Sequence, residues 1–384
     1  MKKILVTPAN FGLGHATRTI PIIRELKSRG HKVDVATSGA ALILLKNEFK
    51  KEFPDIEYYT LPNYPHDLQS ADNISIKKLI KEISKITDAF SEETKQIKDI
   101  DKQQNYDLII SDGRYGAYIE GKPSLLMVHQ LKFESKSFLK IFTPLTEYYN
   151  NYYFNNFDRI IIPDNQSEKI SLSWKLSQAT IPDLQKKIYY SGILCSIKSA
   201  DRKKDMKDIS DAEDICDIDE IDVLISISGP EPHRRNLEGI IMKQILKVGG
   251  NKIVLLGKPG NHGNEFDYML DENTRIISYA DRNNMTELMN RSKVIISRSG
   301  YTTVMELANI GHKKALFIPT PGCLEQEYLA KRYMEKGWFL SKAQSEVNLV
   351  HDLNQFDKYT GFPNMPKSED NVKKLYAMII SKYL

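Results

Sequence analysis

Short runs of aliphatic and β-branched residues alternate along this chain with longer segments whose apolar residues recur at helical spacing. The first unit shows the pattern: a strand-like run at 3–7, a segment 16–29 with its apolar positions on one helical face and Gly30 as its stop, and a second run at 31–39. A strand, a helix and a strand in this order predict parallel pairing through a right-handed crossover.

The same alternation occurs in two sets, and the second begins near residue 222. The further strand-like runs are 106–111, 124–128 and 158–162, then 222–228, 252–256, 275–278, 293–297 and 314–318. This pattern predicts an α/β protein with two facing Rossmann-like domains, each built on a doubly wound parallel sheet. The expected domains are 1–195 and 221–366, joined by a charged linker at 196–220, and a final helix at 367–384 is expected to pack back on the first domain.

A glycine turn follows the first strand and opens the first helix. Gly12, Gly14 and His15 lie there, where backbone N–H groups and the helix dipole attract anions. One interpretation is a dinucleotide-binding fingerprint, but Thr17 stands where its third glycine should be, and the second strand ends without an acidic residue. His15 would lie at the ligand edge of such a fold, although a capping role in the turn would also explain it.

Three loops that follow strands in the second half carry polar residues suited to a nucleotide. They contain Ser228, Gly229, Arg234 and Arg235 in the first loop, Ser299, Gly300, Tyr301 and Thr302 in the second, and Glu325 and Gln326 in the third. The two arginines are able to clamp phosphate, and the second loop opens a helix, which is where a diphosphate is best held. Glu306 lies one turn deeper in that helix, and its carboxylate would accept hydrogen bonds from ribose hydroxyls.

Composition narrows the class of function. The chain has 384 residues, with 54 basic and 50 acidic side chains, and its net charge of +4 gives no reason to expect a nucleic-acid partner. Its three cysteines form no close pair, which argues against a disulfide framework or a metal knuckle and favours a reducing cytoplasm. No run approaches the roughly 18 apolar residues that span a bilayer, so we expect any membrane contact to be made from the surface.

Four motifs together carry a family resemblance: GLGH, SGPEPHRR, SRSGYTTVMELANIG and PTPGCLEQEYLA. They resemble the family 28 glycosyltransferases of the GT-B class, most fully in the second half. The resemblance implies transfer of a hexose or N-acetylhexosamine from a UDP-sugar to a hydroxyl acceptor, by inversion and without a cofactor. Two departures bear on the identity of the sugar: Pro230 and Glu231 replace an expected glutamine, and Glu327 stands where a second glutamine would be.

The resemblance also implies roles for single residues on the donor side. Glu306 would bind the ribose of a uridine nucleotide, and the turns Ser299–Gly300 and Ser228–Gly229 would hold the diphosphate. Gln326 would contact the donor sugar, and the segment from Ala280 to Met285 would cup the base with backbone groups.

Sugar transfer needs a base for the acceptor hydroxyl and positive groups for the departing diphosphate. His15 falls on the acceptor-side histidine of the family and is the candidate base, since a histidine titrates near pH 7. Asp112 and His129 end strands of the same domain and are rivals, each of which would otherwise only orient the acceptor. No paired-aspartate motif stands at a convincing position, so we expect helix termini and the Arg234–Arg235 pair to replace a divalent metal.

The segment 131–157 is rich in aromatic residues with interleaved lysines. The aromatic residues are Phe133, Phe138, Phe142, Tyr148, Tyr149, Tyr152, Tyr153, Phe154 and Phe157, and the lysines are Lys132, Lys136 and Lys140. This combination suits the headgroup region of an anionic membrane, and it suits a core helix or a protein interface equally well. The membrane interpretation predicts a lipid or lipid-linked saccharide as acceptor and a location at the inner face of the cell membrane.

Two other functions would use the same donor loops. A nucleotide-sugar hydrolase or epimerase would need no membrane surface, and a binding protein would hold the nucleotide sugar without turning it over. Release of UDP that depends on an acceptor is expected only of a transferase.

Overall fold

A computed structural model of the chain describes residues 1–64, 76–133, 143–199, 220–258 and 266–384. The chain divides into two compact units, the first made of Met1–Ser196 and Pro366–Leu384 and the second of Ile197–Met365. Most of the expected linker at 196–220 lies outside the described residues, from 200 to 219.

In the described part of the first unit, seven parallel strands form one sheet. They are β1 Lys3–Pro8, β2 Lys32–Thr37, β3 Tyr58–Thr60, β4 Leu108–Asp112, β5 Ser124–Met127, β6 Arg159–Ile162 and β7 Ile188–Tyr190. Their spatial order is β3-β2-β1-β4-β5-β6-β7. The order reverses between β1 and β4, and at such a switch point doubly wound folds bind their ligands beyond the carboxyl ends of the strands.

Helices cover both faces of this sheet: α1 Gly14–Ser28, α2 Gly39–Phe49, α3 Ile76–Gln104, α4 Thr143–Phe154 and α5 Pro182–Lys187. Side chains of β1 alternate between the two faces, as the period of a strand requires. Ile4 and Val6 join a core that includes Ile20 of α1, whereas Leu5 packs on the other face in a cluster with Ile97 of α3.

The second unit repeats the design with one antiparallel edge strand. Its strands are β8 Ile221–Ser226, β9 Lys252–Leu255, β10 Asp267–Asp271, β11 Thr274–Ile277, β12 Ser292–Ser297, β13 Ala315–Phe317 and β14 Leu340–Ser341, in the order β10-β11-β9-β8-β12-β13-β14. Among the strands that the structure describes in this sheet, only β10 runs antiparallel. The helices are α6 His233–Met242, α7 Arg282–Arg291, α8 Tyr301–Ile310, α9 Leu324–Glu335 and α10 Leu349–Leu353. The prediction of two doubly wound α/β sheets is confirmed.

The last helix, α11 Ser368–Met378, belongs to the first unit. Its apolar residues Val372 and Leu375 lie in the same core as Ile20 of α1. Buried polar contacts add to this packing: Ser368 Oγ accepts a hydrogen bond from the Cys195 backbone N–H at 2.9 Å, and Asn371 Nδ2 donates to the Ile193 carbonyl at 3.0 Å.

We expect Leu375→Ala to lower the free energy of unfolding of the first unit by about 2–5 kcal/mol, because it leaves a cavity in a fully buried position. Urea denaturation measures the loss. Met378→Ala in the same helix is the control, since Met378 is 50% exposed and its truncation should cost little. Equal effects of the two substitutions would contradict the packing described for α11.

Candidate functional site

Four side chains meet at the switch point of the first sheet. The Nδ1 atom of His15, in the first turn of α1, lies 2.9 Å from Oδ1 of Asp112, which ends β4. Arg18, one helical turn beyond His15, donates from Nε to Oδ2 of Asp112 at 2.6 Å and from Nη2 to Oδ1. Its Nη1 lies 3.1 Å from Nδ1 of His129, just beyond β5. The structure therefore brings together the three residues proposed as catalytic and adds Arg18.

Asp112 is fully buried within this cluster. Burial by itself would raise the pKa of the Asp112 carboxyl, but the Arg18 charge, the neighbouring His15 and the hydrogen bonds from both outweigh it, and the pKa lies below its ordinary value of 3.8. Both carboxylate oxygens are bound by protein groups. Asp112 is thus placed to hold its neighbours, and this geometry argues against its being the base that meets an acceptor.

His15 keeps 17% of its side chain exposed. Burial and the Arg18 charge lower the pKa of His15 below its ordinary value of 6.5, although Asp112 acts in the opposite direction, so the ring is neutral at pH 7. Arg18 Nη2 also lies 2.9 Å from Nδ1 of His15, and Nδ1 can either donate to the carboxylate or accept from the guanidinium, but not both. We assign the proton to Nδ1, because Arg18 already has Asp112 as an acceptor, and this leaves the lone pair on Nε2.

Two further residues shape this cluster, and neither was singled out as functional from the sequence. Arg18 is 1% exposed, and its signal was its position one helical turn after His15 at the ligand edge. Gly113 has a left-handed backbone with φ of +73°, and a Cβ built there would lie 2.7 Å from Cε1 of His15. A glycine at 113 is therefore what allows the imidazole to lie against the end of β4.

Arg114 follows in the same SDGRYG motif and is a structural centre. It is fully buried, and it donates to the carbonyls of Pro8 and Pro62, to Ser38 Oγ and to Glu93 Oε1. Glu93 is buried as well and accepts from Tyr64. These bonds connect the ends of β1, β2 and β3 to α3, so Arg114 fixes the edge on which His15 lies.

In the second unit a buried arginine joins the three predicted donor loops. Arg298, 2% exposed, donates to the carbonyls of Ser228, His233, Ile318 and Pro319 and to Oε1 of Gln344, at distances from 2.8 to 3.2 Å. Burial lowers the pKa of Arg298 to about 10, so the guanidinium is charged at neutral pH. None of these five acceptors is a carboxylate, and the charge is therefore not neutralised by the groups it binds.

The loop after β8 differs from expectation at Arg234. This side chain is 7% exposed and donates to Glu231 Oε1 at 2.6 Å and to Glu238 Oε2 at 2.8 Å. Its charge is balanced by these two carboxylates, which tie it to the start of α6, and the phosphate clamp by Arg234 stays a prediction. Ser228, Gly229 and Arg235 are exposed.

Some polar side chains in and near the loop after β12 bind other parts of the protein. Ser299 is fully buried and donates its hydroxyl to the Gln326 carbonyl at 2.8 Å, so its side chain ties α8 to α9 and is not presented to a ligand. Tyr301 is 5% exposed, whereas Gly300 and Thr302 at the start of α8 are partly exposed. The Gln326 side chain accepts from the Thr320 N–H at 2.8 Å, and Glu325 lies beside it in the first turn of α9.

Glu306 lies in α8 and is 5% exposed. Its Oε1 accepts a hydrogen bond at 2.6 Å from Nη2 of Arg282, the first residue of α7. The predicted base loop enters α7 through buried Ala280, and Met285 is partly exposed in its first turns. The ribose and base positions proposed from the sequence are therefore joined by an ion pair that the sequence analysis did not foresee.

The aromatic segment 131–157 divides into core and surface. Phe154 and Phe157 are buried in the first unit, while Phe133, Tyr148 and Tyr152 are 43%, 62% and 72% exposed. Phe138, Phe142, Lys136 and Lys140 lie outside the described residues, and Lys132 Nζ is 3.6 Å from Oε2 of buried Glu147.

Among the helices that the structure describes, none is long and apolar enough to cross a bilayer. Within the same described ranges, no three histidine, cysteine, aspartate or glutamate side chains are grouped so as to hold a metal ion.

Comparison with known proteins agrees with this architecture. Residues 243–376 match the model of the glycosyltransferase family 28 C-terminal domain. A relative from Methanosarcina acetivorans, described as an uncharacterized glycosyltransferase, is 23% identical over 350 residues, which cover 88% of this chain and 84% of the relative. Acinetobacter baumannii MurG has a similar fold, with a TM-score of 0.58 and 15% identity over 99% of this chain and 100% of that one.

A putative UDP-N-acetylglucosamine 2-epimerase from Listeria monocytogenes is also similar, with a TM-score of 0.56 and 12% identity over 99% of this chain and 96% of that one. Together these likenesses confirm the GT-B fold and the resemblance to family 28 glycosyltransferases. The family match and the relative also support glycosyltransferase activity.

We expect Gly113→Ala to displace the His15 ring, because the new methyl group would overlap it. Gly121→Ala is a matched control: its φ of +79° carries the same backbone cost of roughly 1–2 kcal/mol, but among the described residues no atom lies within 4 Å of the added Cβ. The Gly113 variant should lose about 1–3 kcal/mol more in urea unfolding and shift the His15 ring signals in NMR. Unchanged ring signals in Gly113→Ala would contradict the close contact.

Proposed function

We propose that this protein transfers a hexose or N-acetylhexosamine from a UDP-sugar to a hydroxyl group of an amphiphilic acceptor, without a metal ion. The observation that carries the proposal is the contact between His15 and Asp112. A neutral imidazole whose Nδ1–H is held by a buried carboxylate offers Nε2 as a proton acceptor, and a side chain with a pKa near or below neutrality suits that task.

In the proposed step, Nε2 of His15 takes the proton of the acceptor hydroxyl. At the same time the hydroxyl oxygen forms a bond to the anomeric carbon of the sugar. The bond between that carbon and the UDP oxygen breaks, and UDP leaves with the electron pair, so the anomeric configuration inverts. The imidazolium that forms is stabilised by ionised Asp112, which is the role of the acidic partner in histidine-based catalysis.

The leaving diphosphate needs positive charge and N–H donors, and the second unit supplies both. The exposed Ser228–Gly229 turn and the start of α8 at Gly300–Thr302 provide backbone groups at a helix N-terminus. Exposed Arg235 and the buried charge of Arg298 support the proposal that this protein needs no divalent metal. Glu306 is proposed for the ribose hydroxyls, Ala280 to Met285 for the base, and Gln326 with Glu325 for the sugar.

An apolar acceptor is supported by a row of aromatic rings that begins beside His15. The row is Phe11, Tyr64, Phe90, Tyr153 and Tyr152, with neighbouring ring centroids 4.9 to 5.5 Å apart, and Phe11 lies 6.5 Å from the His15 ring. It ends on the exposed side of α4, where Leu145, Tyr148 and Tyr152 repeat at helical spacing.

Tyr64 and Phe90 in the middle of the row are buried, at 3% and 7% exposed. The acceptor hydroxyl would therefore lie at His15, with its apolar part near partly exposed Phe11 and on the exposed side of α4. Such an exposed apolar stripe suits contact with a lipid surface. We therefore propose a membrane lipid or lipid-linked saccharide as the acceptor. We also propose that the protein acts at the cytoplasmic face of a membrane.

A nucleotide-sugar hydrolase or epimerase is the second candidate, favoured by the similarity of the fold to the putative 2-epimerase. Fold alone does not separate these reactions, because one fold supports many chemistries. The separating observation is whether an acceptor is needed for the release of UDP.

UDP release from UDP-sugars should therefore depend on added lipid-linked hydroxyl acceptors and should persist in EDTA. His15→Ala should lower turnover roughly 100-fold or more with donor affinity nearly unchanged, because only the base is lost. The wild-type rate should fall at acid pH with a midpoint below about 6.5, the ordinary pKa of histidine, because burial and the Arg18 charge lower the pKa of His15. His351→Ala, at a side chain that is 67% exposed, is the control.

Three results would count against the proposal. Release of UDP without any acceptor would indicate a hydrolase. Loss of activity in EDTA that magnesium restores would remove the metal-free mechanism. Normal turnover in a destabilised His15→Ala variant would leave His15 with a capping role only.

Glu306→Ala should weaken UDP binding by about 1–3 kcal/mol, because a charged hydrogen-bond partner of the ribose is lost. Calorimetry in EDTA measures the change, and Glu335→Ala, at a side chain that is 64% exposed in α9, provides the control. Unchanged affinity in a folded Glu306 variant would end the ribose assignment.

A further inference from the structure

The ion pair between Arg282 and Glu306 connects two parts of the proposed nucleotide site. Arg282 opens α7, directly after the segment proposed to hold the base, and Glu306 lies in α8, where the ribose is proposed to bind. The Nη2–Oε1 distance is 2.6 Å, and the two side chains are 17% and 6% exposed. A pair this short and this buried fixes both side chains more firmly than a surface ion pair does.

Local structure alone gives no reason for an arginine at this position. A cation in the first turn of a helix opposes the helix dipole. The N-terminus of α7 is already capped by Asp281, whose carboxylate accepts from the Asn284 N–H at 2.8 Å. Arg282 forms an ion pair with Glu306 in the neighbouring helix. Glu306 needs such a partner, because a buried carboxylate without one is costly.

We propose that Arg282 is a positioning residue that holds the Glu306 carboxylate in one orientation for the ribose hydroxyls. This inference rests on the proposed function. With Oε1 bound by the guanidinium, the carboxylate cannot turn freely, and its remaining acceptor capacity is directed at the ligand. Arg282 thereby makes binding depend on the ribose hydroxyls and selects ribonucleoside diphosphates over their deoxy counterparts.

The test compares UDP with 2′,3′-dideoxy-UDP by calorimetry, in wild type and in Arg282→Met, which keeps the side-chain length and removes the charge. Wild type should prefer UDP by tenfold or more. Arg282→Met should weaken UDP binding by about tenfold and leave the dideoxy nucleotide unchanged, so that the preference largely disappears. Glu306→Ala should show the same pattern. A merely structural role of Arg282 would weaken both nucleotides equally, and that result would overturn the inference.

Arg291→Met is the matched control. Arg291 lies in the same helix, its side chain is also 17% exposed, and it pairs with Glu287 at 2.7 Å. Its loss should leave the preference for UDP intact. Arg282→Lys keeps the charge but removes the planar guanidinium group, and it should retain part of the preference for UDP. This variant allows the test to be made if the methionine variant does not fold.

The outcomes separate this inference from the function on which it rests. If wild-type protein binds no uridine nucleotide, both are wrong. If Glu306→Ala abolishes the preference for UDP while Arg282→Met and Arg282→Lys both keep it, the ribose assignment stands and only the role of Arg282 is refuted.

Discussion

One buried guanidinium at the carboxyl edge of each sheet holds the loops on which the proposed chemistry depends. Backbone carbonyls just beyond the end of a parallel strand have no neighbouring strand to bind. When these carbonyls are buried, they need hydrogen-bond donors from other groups. Arginine supplies five donors in one plane. Arg114 follows β4 and Arg298 follows β12, and each of these strands lies next to the first strand of its unit, at the switch point. In both units an arginine just after the strand beside the first strand thus donates to these backbone carbonyls.

The two arginines differ in how their charge is balanced, and the difference suits the proposed roles. Arg114 pairs with buried Glu93, and nearby Arg18 pairs with Asp112, so the first edge gains little net charge. Burial and the Arg18 charge lower the pKa of His15, and its ring is neutral. Arg298 donates to neutral oxygens, so its charge is not balanced by the groups it binds. A base must be uncharged before it takes a proton, whereas a leaving diphosphate is stabilised by positive charge. Each edge has the electrostatics that its proposed step requires.

The hydrophobic pattern was enough to predict the two doubly wound sheets, because long β-branched runs separated by amphipathic segments allow few other folds. It missed β3, β7, β10 and β14. Three of these have only two or three residues and carry no period, and β10 is a fully exposed edge strand without a buried apolar face. Arg234 looked free to bind phosphate, yet Glu231 and Glu238 stand three residues before it and four after it, a spacing that places both carboxylates within its reach. The contacts of Arg18 with Asp112 and of Arg282 with Glu306 join residues distant in sequence, and a single sequence gives no signal for such pairs.

In both proposed sites the group that would touch the substrate is oriented by an arginine that need not touch it. Arg18 holds Asp112, which holds His15, and Arg282 holds Glu306. A buried carboxylate has to be paired, and a guanidinium pairs it while also fixing its plane, which a lysine ammonium does not do. Such a carboxylate orients its neighbour only while it is ionised. Removal of either arginine would therefore change both the local charge and the orientation of the carboxylate. The orientation of the residues proposed to face substrate therefore depends on these ion pairs.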